Sequence, residues 1–102
     1  MIYTSAKHDG VANIAYGSYI GNGTFGQNNK NTITVDFTPR FAIVANGYLF
    51  VRWYSISSTG SNNSSTTINL EWGSNSISWY NGGNASGQLN VSGTEYTYIV
   101  FG

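Results

Sequence analysis

The chain has 102 residues, of which 40% are hydrophobic, 16% aromatic and 8% charged, whereas an ordinary soluble domain has roughly 25% charged residues. This length predicts one domain, residues 1–102, with a single thin core. The formal net charge of zero excludes the basic surface of a protein that binds nucleic acid or an anionic membrane. The lack of cysteine excludes disulfides and thiolate chemistry, and no apolar run is long enough to insert into a bilayer.

The composition of the whole chain is that of β-strands and turns, because Gly, Asn, Ser and Thr abound while good helix formers are scarce. Residues 15–20 predict a first strand, and a long polar loop follows it. Thr32–Phe37 alternates strictly and places Ile33 on a buried face. Phe41–Ala45 is continuously apolar, which predicts a strand covered on both faces.

Turn residues divide the rest of the chain into further strands. Asn46-Gly47 predicts a two-residue hairpin turn of type I′, with a second arm over residues 48–55. Small polar side chains fill residues 57–66 and predict a surface loop. A second hairpin is predicted over residues 68–80, and short strands over 88–91 and 96–101.

The last predicted strand has apolar or aromatic side chains on both faces. Tyr96, Tyr98 and Val100 alternate with Thr97, Ile99 and Phe101. Either a central place in a sheet or a subunit interface would cover both faces. With strands at spacings of about 8–12 residues, the sequence predicts an all-β fold, a small antiparallel β-sandwich of about six to eight strands.

No motif in the sequence predicts catalysis or a bound cofactor. The glycines of Gly21–Gly26 have dinucleotide-binding spacing, but no helix can start after them. His8 is the only histidine, so no triad and no metal-ligand spacing is present. The carboxylates are scattered, and Asp36 and Glu71 lie on the polar side of alternating strands. We therefore predict no catalytic residues, no metal and no cofactor.

Aromatic residues set among amides and hydroxyls predict a carbohydrate-binding surface instead. The apolar C–H faces of a sugar stack on aromatic rings, while its hydroxyls pair with uncharged donors and acceptors. Many of the rings must nevertheless fill the core, because aliphatic residues are few. The candidate contact residues are those that flank polar turns and loops: Tyr54, Trp79, Tyr80, Asn81 and Asn84.

Three stretches carry a resemblance to a known group of proteins: YGSYIGNGTFG at 16–26, ITVDFTPRFAIV at 33–44 and LNVSGTEYTYIVFG at 89–102. They resemble the carboxy-terminal tip domains of tail fibres and related tail proteins in phages and prophages of gut bacteria. The order of features is also similar to that of H-type lectins, which are six-stranded trimeric sandwiches. Those features are Phe37-Thr38-Pro39 before an apolar strand, then a Trp-rich hairpin and a Tyr-rich strand.

The resemblance implies a non-catalytic adhesion domain at the distal end of a phage tail fibre, in the virion. Such a domain would form a homotrimer and bind a bacterial cell-surface glycan, and residues 1–15 would be a linker or an edge strand from the fibre shaft. The resemblance supplies no binding residues. Three alternatives stay open: a trimerisation or capping module without a ligand, a protein-binding adhesin, and an enzyme with a close carboxylate pair.

Overall fold

The computed structural model describes residues 13–45, 47–52 and 68–102. This part of the chain forms two antiparallel sheets, which confirms the predicted all-β sandwich. None of its residues belongs to a helix that is long and apolar enough to cross a membrane. Its strands are β1 (Ile14–Ile20), β2 (Asn31–Thr34), β3 (Phe41–Val44), β4 (Tyr48–Val51), β5 (Asn69–Trp72), β6 (Ser76–Tyr80) and β7 (Glu95–Phe101).

The larger sheet has the strand order β1-β7-β3-β4, and the smaller sheet has the order β2-β6-β5. The last strand, β7, therefore pairs on both sides, with Tyr98 opposite Gly17 of β1 and Val44 of β3. This central place agrees with the two apolar faces of its sequence. Strands β1 and β2 each form an edge of their sheet, so each has one side without a partner strand in the described residues.

The core lies between the sheets and is built by alternation. Val100 of β7, Phe50 of β4 and Trp79 of β6 are fully buried. The Phe50 and Trp79 rings pack with their centroids 5.1 Å apart and tilted by 59°. The remaining buried hydrophobic residues are Ile33, Ala42, Val44, Ile68, Leu70, Ile77 and Leu89.

Three sequence predictions differ from the structure in the strands. Strand β2 ends at Thr34, not at residue 37, because Thr34 pairs with Ser76, the first residue of β6. The next amide, that of Val35, donates to the Asn75 carbonyl in the turn between β5 and β6. Strand β3 is covered on one face only, since Phe41 and Ile43 are exposed on the other. The predicted β3–β4 hairpin is present, but Val44 pairs with Tyr48, so its loop has three residues rather than two.

The strand predicted over residues 88–91 is a turn. The amide of Asn90 donates to the Ala85 carbonyl, and Leu89 has a positive φ of 60°. Gln88, Leu89 and Asn90 are buried. The backbone folds back here because side-chain amides, rather than a neighbouring strand, bond to the surrounding loops.

Candidate functional site

The two sheet edges β1 and β2 flank an open cleft with a volume of about 430 Å³. A loop over residues 22–30 connects these strands and forms one end of the cleft. Most of the lining side chains carry hydroxyl or amide groups. The polar ones are Ser18, Tyr19, Asn22, Thr24, Asn29, Lys30, Asn31, Thr32, Thr34, Asn90 and Tyr98, and the apolar ones are Ile20, Ile33 and Trp79.

Tyr19 and Asn31 lie at the inner wall of the cleft. The Tyr19 hydroxyl donates to the Leu89 carbonyl at 2.9 Å, and the Asn31 amide donates to the carbonyls of Gln88 and Leu89 at 3.1 and 3.3 Å. Burial raises the pKa of the Tyr19 hydroxyl well above its usual value, whereas the hydrogen bond from Asn31 lowers it and nearby Tyr96 raises it. Tyr19 therefore stays protonated and donating at neutral pH.

Asn90 holds the loop that closes the end of the cleft. Its side-chain amide donates to the Asn22 side-chain oxygen at 2.7 Å and to the Thr24 carbonyl at 2.8 Å. Its side-chain oxygen accepts from the Asn22 backbone amide at 3.1 Å. Because these bonds join residues 66 to 68 positions apart, the loop is fixed before any ligand binds, which lowers the entropic loss on binding.

The smaller sheet continues the polar surface away from the cleft. Lys30 lines the cleft and pairs with Glu71 at 2.9 Å. Its amino group also lies 6.0 Å from the centre of the half-buried Tyr80 ring. Next to them, the hydroxyls of Thr32 and Ser78 hydrogen-bond at 3.0 Å. One aromatic ring thus lies beside hydroxyls and a paired charge on the outer face of this sheet.

The structure separates the residues that the sequence proposed as ligand contacts. Tyr80 is half-buried next to Lys30, and Asn84 is exposed in the 81–87 turn. Asn81 is buried, and its side-chain oxygen accepts from the amides of Gly83 and Asn84. Trp79 is fully buried and presents no ring face to solvent. Tyr54 lies outside the described residues, as do His8 and the predicted loop over 57–66.

Trp79 shows why nearness to a turn is a poor guide to exposure. Its indole nitrogen donates to the Gln88 carbonyl at 2.9 Å, and its ring packs against Tyr19 and Phe50. The alternation of Ile77 and Trp79 with Ser76 and Ser78 already indicates an inward ring. The structure therefore places Trp79 in the core, and of the predicted aromatic contacts Tyr80 alone is described on the surface.

The loop residues of the cleft were missed by the sequence reasoning. Residues 22–30 show no hydrophobic periodicity, so they were interpreted only as a loop. Strand β2 rather than a helix follows the glycines of this region, and the Gly26 amide donates to the Gln88 side chain. The run of amide and hydroxyl side chains between two predicted strands is the sequence feature that could have indicated a binding cleft.

None of the described residues that line the cleft is a carboxylate. Of the carboxylates described, Glu71 pairs with Lys30, and Asp36 and Glu95 are exposed. Comparison with protein-family models, with curated protein sequences and with solved structures finds no match to this chain.

Proposed function

We propose that this chain is a non-catalytic, carbohydrate-binding adhesin that forms the tip of a phage tail fibre and attaches the virion to bacterial cell-surface glycans. The observation that carries the carbohydrate proposal is the cleft between β1 and β2, with its hydroxyl and amide lining. The tail-fibre setting rests on the three sequence stretches that resemble tail-fibre tips.

The chemistry of the cleft fits a neutral sugar better than a charged ligand. Uncharged amides and hydroxyls can both donate to and accept from sugar hydroxyls. Lys30 is the single cation among the described residues that line the cleft, and it is already paired with Glu71. The half-buried Tyr80 ring beside Lys30 offers a flat apolar surface for a sugar ring that extends beyond the cleft.

The test is binding of the labelled full-length chain to immobilised polysaccharides extracted from bacterial cell walls. Ser18 and Thr34 are exposed and lie on opposite sides of the cleft. The double variant Ser18→Trp/Thr34→Trp narrows the cleft with residues that strands accept. We expect saturable binding by the unaltered chain and at least about tenfold weaker binding by the double variant.

The matched control is Ser74→Trp, an exposed position in the β5–β6 turn that does not line the cleft. It should bind within about twofold of the unaltered chain. If the double variant still binds, the binding site lies outside the cleft. The variants Tyr80→Ala and Asn84→Ala then test the site that the sequence predicted. Absence of saturable binding from a folded chain would contradict the carbohydrate proposal.

A second candidate function is a structural module that joins fibre subunits and binds no ligand. The exposed apolar residues on the outer face of the larger sheet, such as Tyr16 and Ile43, favour it. The two candidates differ in what the cleft does. A structural module would show no saturable polysaccharide binding, either in the unaltered chain or in the double cleft variant.

A further inference from the structure

The outer faces of the two sheets have opposite character. On the smaller sheet, the outward positions carry hydroxyls, an amide and an ion pair, for example Thr32, Ser78 and Glu71. On the larger sheet, we define the apolar face as the exposed hydrophobic residues that point away from the core. They are Ile14, Tyr16 and Ile20 of β1, Phe41 and Ile43 of β3, and Leu49 of β4.

Strand register makes the apolar face continuous. Tyr16 pairs with Ile99, Ile99 with Ile43, and Ile43 with Leu49, so one row of apolar side chains crosses all four strands. In the next row the rings of Phe41 and Phe101 stack with centroids 4.4 Å apart and 14° between their planes. This second row extends the apolar face to the end of the sheet at which Ile14 pairs with Phe101.

This face is not what a solvent-exposed antiparallel sheet normally presents, because such sheets turn polar residues to water. Four of the nine isoleucines of the chain, at 14, 20, 43 and 99, point outward here. Among the described outward strand positions of the larger sheet, Glu95 alone is charged, and it lies at the end of the sheet opposite Ile20.

We propose that the apolar face is a self-association surface, where a second copy of this chain docks. The six residues are 37% to 81% exposed, which corresponds to about 700 Å² of accessible surface for side chains of this size. Each partner in a standard protein interface contributes roughly 800 Å². The area of the face thus matches one half of a stable interface.

The nature of the face favours an identical partner over a different one. It has almost no charge with which to select a partner of opposite charge. In a twofold-symmetric dimer the same patch of both copies forms the contact, so an apolar face meets an apolar face.

The test is the solution mass of the full-length chain, measured by sedimentation equilibrium between about 1 and 100 µM. We expect an oligomer that dissociates on dilution. A threefold mass would also agree with the homotrimer that the sequence resemblance implies, and a twofold mass would replace the trimer by a dimer. The double variant Tyr16→Lys/Ile43→Lys should be monomeric at every concentration, because it brings like charges together across the interface.

Val91→Lys is the matched control, since Val91 is 38% exposed but lies in a turn outside the apolar face. It should keep the mass of the unaltered chain. Circular dichroism verifies that each variant is folded, and Tyr16→Thr/Ile43→Thr replaces the lysine pair if that pair does not fold. A monomeric unaltered chain, or an oligomer that survives both pairs, would overturn the proposal.

This inference does not rest on carbohydrate binding, and the two proposals fail separately. An unaltered chain that stays monomeric but binds polysaccharide saturably would refute the self-association proposal alone. An oligomer that depends on the apolar face but binds no polysaccharide would refute the carbohydrate proposal alone.

Discussion

Gln88 shows how one polar side chain organises the loops around the cleft. It is fully buried, and its side-chain oxygen accepts from the amides of Gly26 and Asn81 at 2.8 and 3.0 Å. Its side-chain amide donates to the Asn29 carbonyl at 2.6 Å and to the Asn31 side-chain oxygen at 3.2 Å. Every polar atom of this side chain is thus paired, and the bonds join the 81–87 turn to the cleft loop.

The near-isosteric substitution Gln88→Glu tests this network. It keeps one accepting oxygen but turns the other toward the Asn29 and Asn31 oxygens, which also accept. We expect the free energy of unfolding at pH 7, measured in urea, to fall by about 2–4 kcal/mol, because the substitution buries a charge and leaves one of its oxygens without a donor. The loss should shrink as the pH falls, since the protonated acid can donate to Asn29. An equal loss in the exposed control Gln27→Glu would contradict this account.

Tyr19 links the stability of the protein to alkaline pH. Burial raises the pKa of its hydroxyl in the folded chain, whereas the unfolded chain ionises near about pH 10. The stabilisation is therefore fully present below that pH and is lost as the pH rises toward the folded pKa. Stability should thus fall with pH above about 10 more steeply in the unaltered chain than in Tyr19→Phe.

Urea unfolding at several pH values checks this difference in slope. At neutral pH, Tyr19→Phe should lower the free energy of unfolding by about 1 kcal/mol, because the Leu89 carbonyl loses the hydroxyl as a donor. Tyr16→Phe, on the exposed face of the same strand, should leave stability at neutral pH unchanged. Parallel slopes for Tyr19→Phe and the unaltered chain would refute the link to Tyr19.

The end of β1 depends on a close backbone contact at Gly21. Its amide donates to the Thr94 carbonyl and its carbonyl accepts from the Gly93 amide. A Cβ at this position would collide with the Val91 carbonyl, which is backbone and cannot move aside cheaply. We expect Gly21→Ala to destabilise the fold by about 2–4 kcal/mol in thermal or urea unfolding.

Gly82→Ala is the matched control for this position, because no heavy atom lies within 4 Å of the Cβ it would add. It should leave the free energy of unfolding unchanged within about 0.5 kcal/mol. Equal stability of the two alanine variants would show that the approach of Gly21 to Val91 is not a constraint.

Alternation predicted the faces of the strands but not their arrangement. The two faces of β7 followed from its sequence alone, because a side-chain period of two is a local property. The order β1-β7-β3-β4 brings together residues more than 50 positions apart, for example Ile43 and Ile99. No local pattern encodes such pairing, and the exposure of Ile43 therefore could not be foreseen.

The cleft could not be predicted from the sequence either, because its shape depends on buried side-chain amides. Gln and Asn are usually exposed, so nothing in the sequence marks Gln88 and Asn90 as buried, and the turn they hold was interpreted as a strand. The sequence did predict an aromatic surface with amides and hydroxyls, and Tyr80 lies on such a surface. The prediction for Trp79 was wrong because it relied on the neighbouring turn, although the alternation of Ile77 and Trp79 with serines indicates an inward ring.

At the scale of the whole molecule, polar and apolar surfaces lie on opposite sheets. On the two proposals above, ligand binds at the smaller sheet and the cleft at its edge, and subunits meet at the larger sheet. The cleft and the apolar face share Ile20, but the other residues that line the cleft lie outside that face, so the proposed sugar site stays largely open in the proposed oligomer. Several copies on one fibre would then engage a cell surface together, and weak individual sites would add up to firm attachment.

Self-association through the apolar face also predicts that thermal stability depends on protein concentration. A partner that binds only the folded chain stabilises it by mass action, by about 2.7 kcal/mol at a hundred times its dissociation constant. For a domain of this size, 1 kcal/mol shifts the melting temperature by roughly 4–8 °C. Scanning calorimetry between about 1 and 100 µM should therefore show Tm rising by several degrees in the unaltered chain. Tyr16→Lys/Ile43→Lys should melt at one temperature throughout, and a concentration-dependent Tm in that variant would place the contact on another surface.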